Sequence, residues 1–288
     1  MRAVTAGIVA LLLLSAGLRG DWNRGDLKDY QARRARLLSE TGDGVIVLFG
    51  YPDADVAASV TQFRQNEMFY YLSGWNEPGA MLMLTPKGGD TLYLPARNLN
   101  EERWNGPKLG PESPDAPVRT GFAAVHRTSA LPAELLEALK TYPKLYTELT
   151  PQPESGEEGF QAQTVAKLKT FAPLTEFADI RPALTNMRAI KSAGEIALIR
   201  KAIDNSIEGH LAVMKAVRPG MWEYEAGALM KYEFERRGSE WPSYPPIVGS
   251  GFFSTVLHYD VNGKQMADGD LVVIDAAGSY GEIGRAHV

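Results

Sequence analysis

Apolar residues at Ile190, Ala193, Ile196, Ile199, Ile203, Ile207, Leu211, Met214 and Val217 step by three or four, and the series ends at Arg218-Pro219-Gly220. That spacing lines one face of a helix and cannot line one face of a strand. Proline and glycine then stop the helix. A second helix is predicted from about Trp222 to Arg237, with Gly238 as its C′ residue. YPPIVGSG, STVLHY and LVVIDAA follow and read as strands. Two helices and then strands is an α+β order.

Ahead of that helix the pattern differs. DLKDYQARRARLLSET reads as a helix, and Val45–Gly50 as a buried strand. Ala80–Leu84 and Thr91–Leu94 flank Pro86-Lys87-Gly88-Gly89-Asp90, which predicts a hairpin. Leu131–Lys140 reads as a helix and Lys144–Glu148 as a short strand. Strands alternating with helices predict an α/β layer domain. FRQNEMFYYLSGWNEPGA (Phe63–Ala80) reads either as an aromatic core strand with a Gly/Pro turn or as a substrate- or subunit-facing surface. Leu149–Phe160 is rich in Pro, Gly and acid and reads as a loop. A helix over Gln161–Phe171 follows, and FADIRPAL reads as the crossing into the second domain.

The chain has no cysteine, which excludes disulfides, thiol nucleophiles and Cys-based metal sites. A metal would need Asp, Glu, His or carbonyl oxygen, a donor set that favours manganese or magnesium and leaves zinc open. Net charge is -5, with both signs interspersed, so no concentrated basic face points to nucleic acid. Arg2, the apolar stretch Ala3–Leu14 and Ser15-Ala16-Gly17 resemble a secretory signal peptide over residues 1–20, which predicts export to the periplasm or outside, with an uncleaved anchor as the alternative. No other segment is apolar for long enough to span a bilayer.

Of the histidines, His126 and His210 read as packing or surface residues, and His287 lies in an atypical tail. His258 stands in VLHY, and pairing of that run with the next strand would bring it toward Asp275. Asp275 ends an apolar run. A buried carboxylate there requires a hydrogen bond, an ion pair or a metal. The alternatives are that it faces water or caps the AAGSY turn.

An ordered set of segments resembles one family. FRQNEMFYYLSGWNEPGA and ERWNG (Glu102–Gly106) are similar to the N-terminal domain of aminopeptidase P, the Xaa-Pro aminopeptidases. RAIKSAGEIALIRKAI (Arg188–Ile203), VRPGMWEYE (Val217–Glu225), IVGSG (Ile247–Gly251), LHY (Leu257–Tyr259) and DGDLVVIDAAGSY (Asp268–Tyr280) resemble the opening of its catalytic domain. The resemblance implies an α/β N-terminal domain, a mixed sheet flanked by helices, over 21–175. The first part of an α+β pita-bread metallopeptidase domain is expected over 176–281. It further implies two divalent ions, usually manganese, held by two Asp, one His and two Glu. A bridging water attacks the carbonyl before a penultimate proline. Asp275 matches the first Asp ligand. His258 matches a histidine that lines the site without binding metal. Trp104 matches a position that can approach a neighbouring subunit's active site in a homo-oligomer.

Departures accompany the match. The family's second Asp falls at Ala286, and its remaining ligands are expected beyond Val288. EIGRAHV matches one reading frame of a common sequencing adapter, so 282–288 is read as a non-native tail and the chain as an inactive, poorly stable fragment that does not hold the ions stably. Trp222 stands where the family commonly has a capping Thr. The same fold would also suit an Xaa-Pro dipeptidase, creatinase-like chemistry without metal, or a metal-free binding module.

Overall fold

The computed structural model describes residues 25–52, 63–149, 159–281 and 283–284. The signal segment, His287, Ala286 and most of the tail lie outside these residues, as does most of the loop expected over 149–160. Two compact units divide the chain, Asp26–Lys191 and Ser192 onward. Among the described residues no helix is long and apolar enough to cross a membrane.

The first unit is built on a six-stranded mixed sheet, with helices contributing to the cores on both faces. In chain order it contains α1 (Leu27–Glu40), β1 (Val45–Phe49), α2 (Glu67–Ser73), β2 (Met81–Thr85) and β3 (Gly89–Leu94). Then come α3 (Leu99–Asn105), α4 (Ala116–Thr120), β4 (Ala124–Arg127), α5 (Leu131–Thr141), β5 (Lys144–Thr147), α6 (Phe160–Phe171), β6 (Glu176–Asp179) and α7 (Arg181–Ala189). The strand order is β4-β3-β2-β1-β5-β6. β1 pairs antiparallel with β2 and parallel with β5. All of β1 is buried, and its alternation serves two cores. Ile46 and Leu48 join Leu37, Phe69 and Leu72 of α1 and α2, whereas Val45, Val47 and Phe49 join Leu131, Leu135 and Leu168 of α5 and α6. Buried Arg34 of α1 ties that helix in, bonding the Asp90 carboxylate and the Leu72 carbonyl (2.8 Å).

Two expectations change here. Within FRQNEMFYYLSG, Glu67–Ser73 forms a helix where an aromatic strand was one expectation. Asn66 caps it, its Oδ1 accepting from Phe69 N–H at 2.8 Å, and Gly74 ends it at φ 60°. A Cβ at Gly74 would sit 2.4 Å from the Tyr30 ring. The boundary between units falls after Lys191, later than 175/176. β6 pairs in register with β5, and Leu184 and Met187 of α7 are buried in the first core.

The second unit opens with α8 (Ala193–Ala216) and α9 (Glu223–Glu235), followed by β7 (Ile247–Ser250), a 3-10 turn (Gly251–Thr255) and β8 (Val272–Asp275). Two short strands, β9 (Ser279–Tyr280) and β10 (Ile283–Gly284), pair antiparallel. Ser192 and Glu195 form a reciprocal capping box on α8, with bonds of 2.9 and 3.2 Å. α9 has half of one. Glu225 accepts from Trp222 N–H at 2.7 Å, but the Trp222 indole has only a donor and cannot return the bond. Val213, Ala226, Met230, Phe234 and Val248 make the core.

The face that α8 buries is not the one its apolar series marks. Ala202, Asn205, Gly209 and Val213 are buried, whereas Ile196, Ile207, Leu211 and Met214 are exposed. Small residues let α9 approach closely: a Cβ on Gly209 would lie 2.4 Å from the Phe234 ring.

STVLHY is not a strand. Gly249 sits so close to the Phe253 carbonyl that a Cβ would come within 2.5 Å of it, and Gly251 turns the chain at φ 56°. The backbone winds into the 3-10 turn and then a loop. β8 therefore pairs with β7, in the register Ile247↔Asp275 to Ser250↔Val272.

Candidate active site

Asp275 closes β8 and is partly buried. The Tyr244 hydroxyl donates to its Oδ1. Burial first, and then that bond to a carboxylate, push the Tyr244 phenol above its usual range.

The backbone just beyond Asp275 is held from two sides. His210 Nε2–H of α8 donates to the Ala276 carbonyl at 2.9 Å, and Gly278 N–H donates to Ser206 Oγ at 3.0 Å. Ser206 and His210 are one helical turn apart and so share a face. From the other side, Ser243 N–H donates to the Ala277 carbonyl at 2.7 Å and Ser279 N–H to the Trp241 carbonyl at 2.9 Å. His210, read from sequence as packing or surface, is thus a clamp on the strand end that carries the aspartate. No local pattern signals this, because the bond spans 66 positions.

His258 lies on the loop between the 3-10 turn and β8, exposed, with φ at 56°. It makes no hydrogen bond or ion pair to Asp275. The loop nevertheless doubles back along β7. Asn262 accepts from Val248 N–H at 2.7 Å and donates to the Pro246 carbonyl at 2.8 Å, flanking Ile247, the residue that pairs with Asp275.

A fully buried carboxylate that no local sequence pattern marks anchors this loop. Glu223 Oε1 accepts from Ser250 N–H (2.7 Å) and Ser250 Oγ (2.8 Å). Its Oε2 accepts from Lys264 N–H (2.7 Å) and the Tyr259 hydroxyl (3.1 Å). Nearby, Lys264 Nζ pairs with Asp270. That hydrogen bond first, and then the Ala267 N–H, hold the Asp270 carboxyl below its usual range.

Trp104 lies in the first unit, on α3, and is 89% exposed. Glu101 of the same helix lines a small cavity of about 60 Å³ with Trp75, Pro78, Pro95, Arg97 and Lys108. Among the described residues no group of three or more His, Asp or Glu could hold a metal ion.

The chain is similar to known proteins in sequence and in fold. Residues 30–146 match the family "Aminopeptidase P, N-terminal domain", and residues 197–285 match "Metallopeptidase family M24". The second match takes in Ile283 and Gly284, within the stretch 282–288 expected to be a non-native tail. The Xaa-Pro aminopeptidase of Escherichia coli (strain K12) is 34% identical over 270 residues, covering 88% of this chain and 59% of the relative. That of Haemophilus influenzae is 31% identical, covering 86% and 57%. Among solved structures, aminopeptidase P from E. coli with the inhibitor Pro-Leu superposes with a TM-score of 0.79 at 32% identity, covering 90% of this chain and 60% of that one. Aminopeptidase PepP of Pseudomonas aeruginosa gives 0.81 at 25% identity, covering 91% and 61%. The chain thus spans about three fifths of the length of the relatives it matches.

Proposed function

The chain carries an aminopeptidase P N-terminal domain followed by part of a metallopeptidase family M24 domain, and on that premise we propose that it belongs to an exported Xaa-Pro aminopeptidase. The substrate is a peptide with proline second, and the bond cut is the one before that proline. Asp275 is the first metal ligand. His258 hydrogen-bonds the substrate or the oxyanion that develops on attack. The observation that carries this reading is the state of Asp275: a strand-end carboxylate oriented by Tyr244, on backbone clamped by His210 and Ser206.

The described residues do not by themselves fit a two-ion centre. Two ions about 3.5–4 Å apart need shared carboxylates, and one oxygen of the single candidate, Asp275, already accepts a hydroxyl. The roles assigned to this chain are therefore binding and orientation. Of the described residues Asp275 would hold an ion, and divalent ions, manganese by our reading, would supply an activated water and polarise the carbonyl. Exposed Trp104 supports a place at a subunit boundary of a homo-oligomer. Export rests on residues 1–20, and N-terminal sequencing of the secreted product tests it.

The activity test uses a product of this gene extended to carry all five ligands. It should release the first residue of an Xaa-Pro-Xaa peptide with added manganese, and the 288-residue chain should not. An extended product that binds metal and leaves the peptide intact overturns the reading. Preference for dipeptides would reassign it to an Xaa-Pro dipeptidase.

A further inference from the structure

His258 and Asn262 are the non-glycine residues with positive φ among those described, at 56° and 47°, and both lie on one loop. The left-handed region crowds Cβ against the following carbonyl, so such residues persist only where their surroundings fix them. Asn262 has its own reason to stay, since its side chain satisfies Val248 N–H and the Pro246 carbonyl. His258 has none. Its side chain is exposed and makes no hydrogen bond or ion pair among the described residues, and glycine would take its conformation without strain.

What fixes His258 is the residue after it. Tyr259 is buried, stacks on Phe253 at 4.6 Å and 6°, and donates to Glu223. Glu223 also holds both flanks of the loop, through Ser250 before it and Lys264 after it. With four donors on its two oxygens, it is a charged group whose whole hydrogen-bonding capacity is spent on this loop.

We infer that Glu223 is a positioning residue: through Tyr259 it holds His258 in a left-handed conformation that presents the imidazole. This rests on reading His258 as a site residue. A histidine kept where glycine fits better is retained for its side chain, and a buried carboxylate with no other partner class is what keeps it in place.

The test uses the 288-residue chain with labelled histidine rings, so that His126 and His210 serve as internal controls. Glu223→Gln turns one acceptor into a donor facing another donor, whichever oxygen is replaced. It should shift and broaden the His258 ring signals and leave those of His126 and His210 in place. Tyr259→Phe, which deletes one donor, should move the same signals by less. His258→Gly should raise the unfolding midpoint by about 2–4 °C. Unmoved His258 signals in both anchor variants overturn the inference. So does an equal shift at His210, which would mean general loosening, and so does a lower midpoint for His258→Gly. The peptidase reading fails on a different measurement, the turnover of the extended product.

Discussion

The two units treat their apolar surface differently. In the first, every residue of β1 is buried, and the sheet has a core on each face. In the second, no residue of β8 is fully buried, Val273 and the preceding Leu271 are 50% and 79% exposed, and α8 leaves Ile196, Ile207, Leu211 and Met214 in solvent. Both sequences carry regular apolar periodicity. The contrast teaches that periodicity shows which face of an element wants cover, and that the described residues supply that cover in one unit and only partly in the other.

That difference predicts a graded response to mutation, readable by denaturant unfolding. Trp75 and Trp104 report on the first unit and Trp222 and Trp241 on the second. The largest effect is expected for Leu82→Ala. This side chain is fully buried in the first core, and its loss should cost the first unit about 2–5 kcal/mol. A loss below about 1 kcal/mol would break the comparison, because it would mean the first core is no better packed than the second.

Gly209→Ala comes next. The added methyl meets the buried Phe234 ring at 2.4 Å, so the second unit should lose about 1–3 kcal/mol while the first transition stays put. An unchanged second transition would show that the helices can move apart freely.

Opposite pH dependence should sharpen the contrast further. Burial, outweighing the opposing hydrogen bond from Asn66, raises the Glu148 carboxyl of the first unit. Its contribution is fully present below the unfolded value and is lost as pH rises through the folded one. Asp270 of the second unit is lowered by Lys264, so its contribution is present above the unfolded value and is lost as pH falls through the folded one. From the mid-acid range, raising pH should therefore weaken the first unit, and Glu148→Gln should flatten that slope. Lowering pH should weaken the second. Below the mid-acid range the first unit weakens too, because its Asp43 and Asp179 are also lowered; above that range, parallel slopes in the two units would contradict the Glu148 assignment.

The smallest effect is expected at the exposed stripe. Ile207→Ser should change stability by less than about 0.5 kcal/mol, while binding of a hydrophobic dye falls. A larger loss would mean that this face is covered after all.

Much of the first unit is legible in the sequence, because its elements are set by local signals. Val45–Phe49, the hairpin around Gly88 and Gly89, and the α5 and α6 helices lie where periodicity and turn chemistry put them. Phe63–Gly74 misled because aromatic residues favour strands, yet the cap at Asn66 and the left-handed Gly74 were local signals too. STVLHY misled in the same way, since β-branched residues suggest a strand while Gly249 and Gly251 leave no room for one. The site was half legible. Asp275 stands out as an acid ending an apolar run, and Gly238 as a helix stop at φ 91°. The partners do not. Tyr244 lies 31 positions from Asp275, His210 lies 66 from Ala276, and Glu223 reaches residues 27, 36 and 41 positions away. Nothing in a local window predicts a hydrogen bond across such separations.

The chain order of the pairings also has a kinetic meaning. All sheet partners of the first unit lie between Val45 and Asp179, so during synthesis that unit can close before α8 has emerged. β7 must wait for β8, and Asp275 closes the far end of their ladder opposite Ile247. The aspartate therefore reaches its place only after its Tyr244, Ser206 and His210 neighbours have been made, while the first unit already stands as a finished body on the nascent chain.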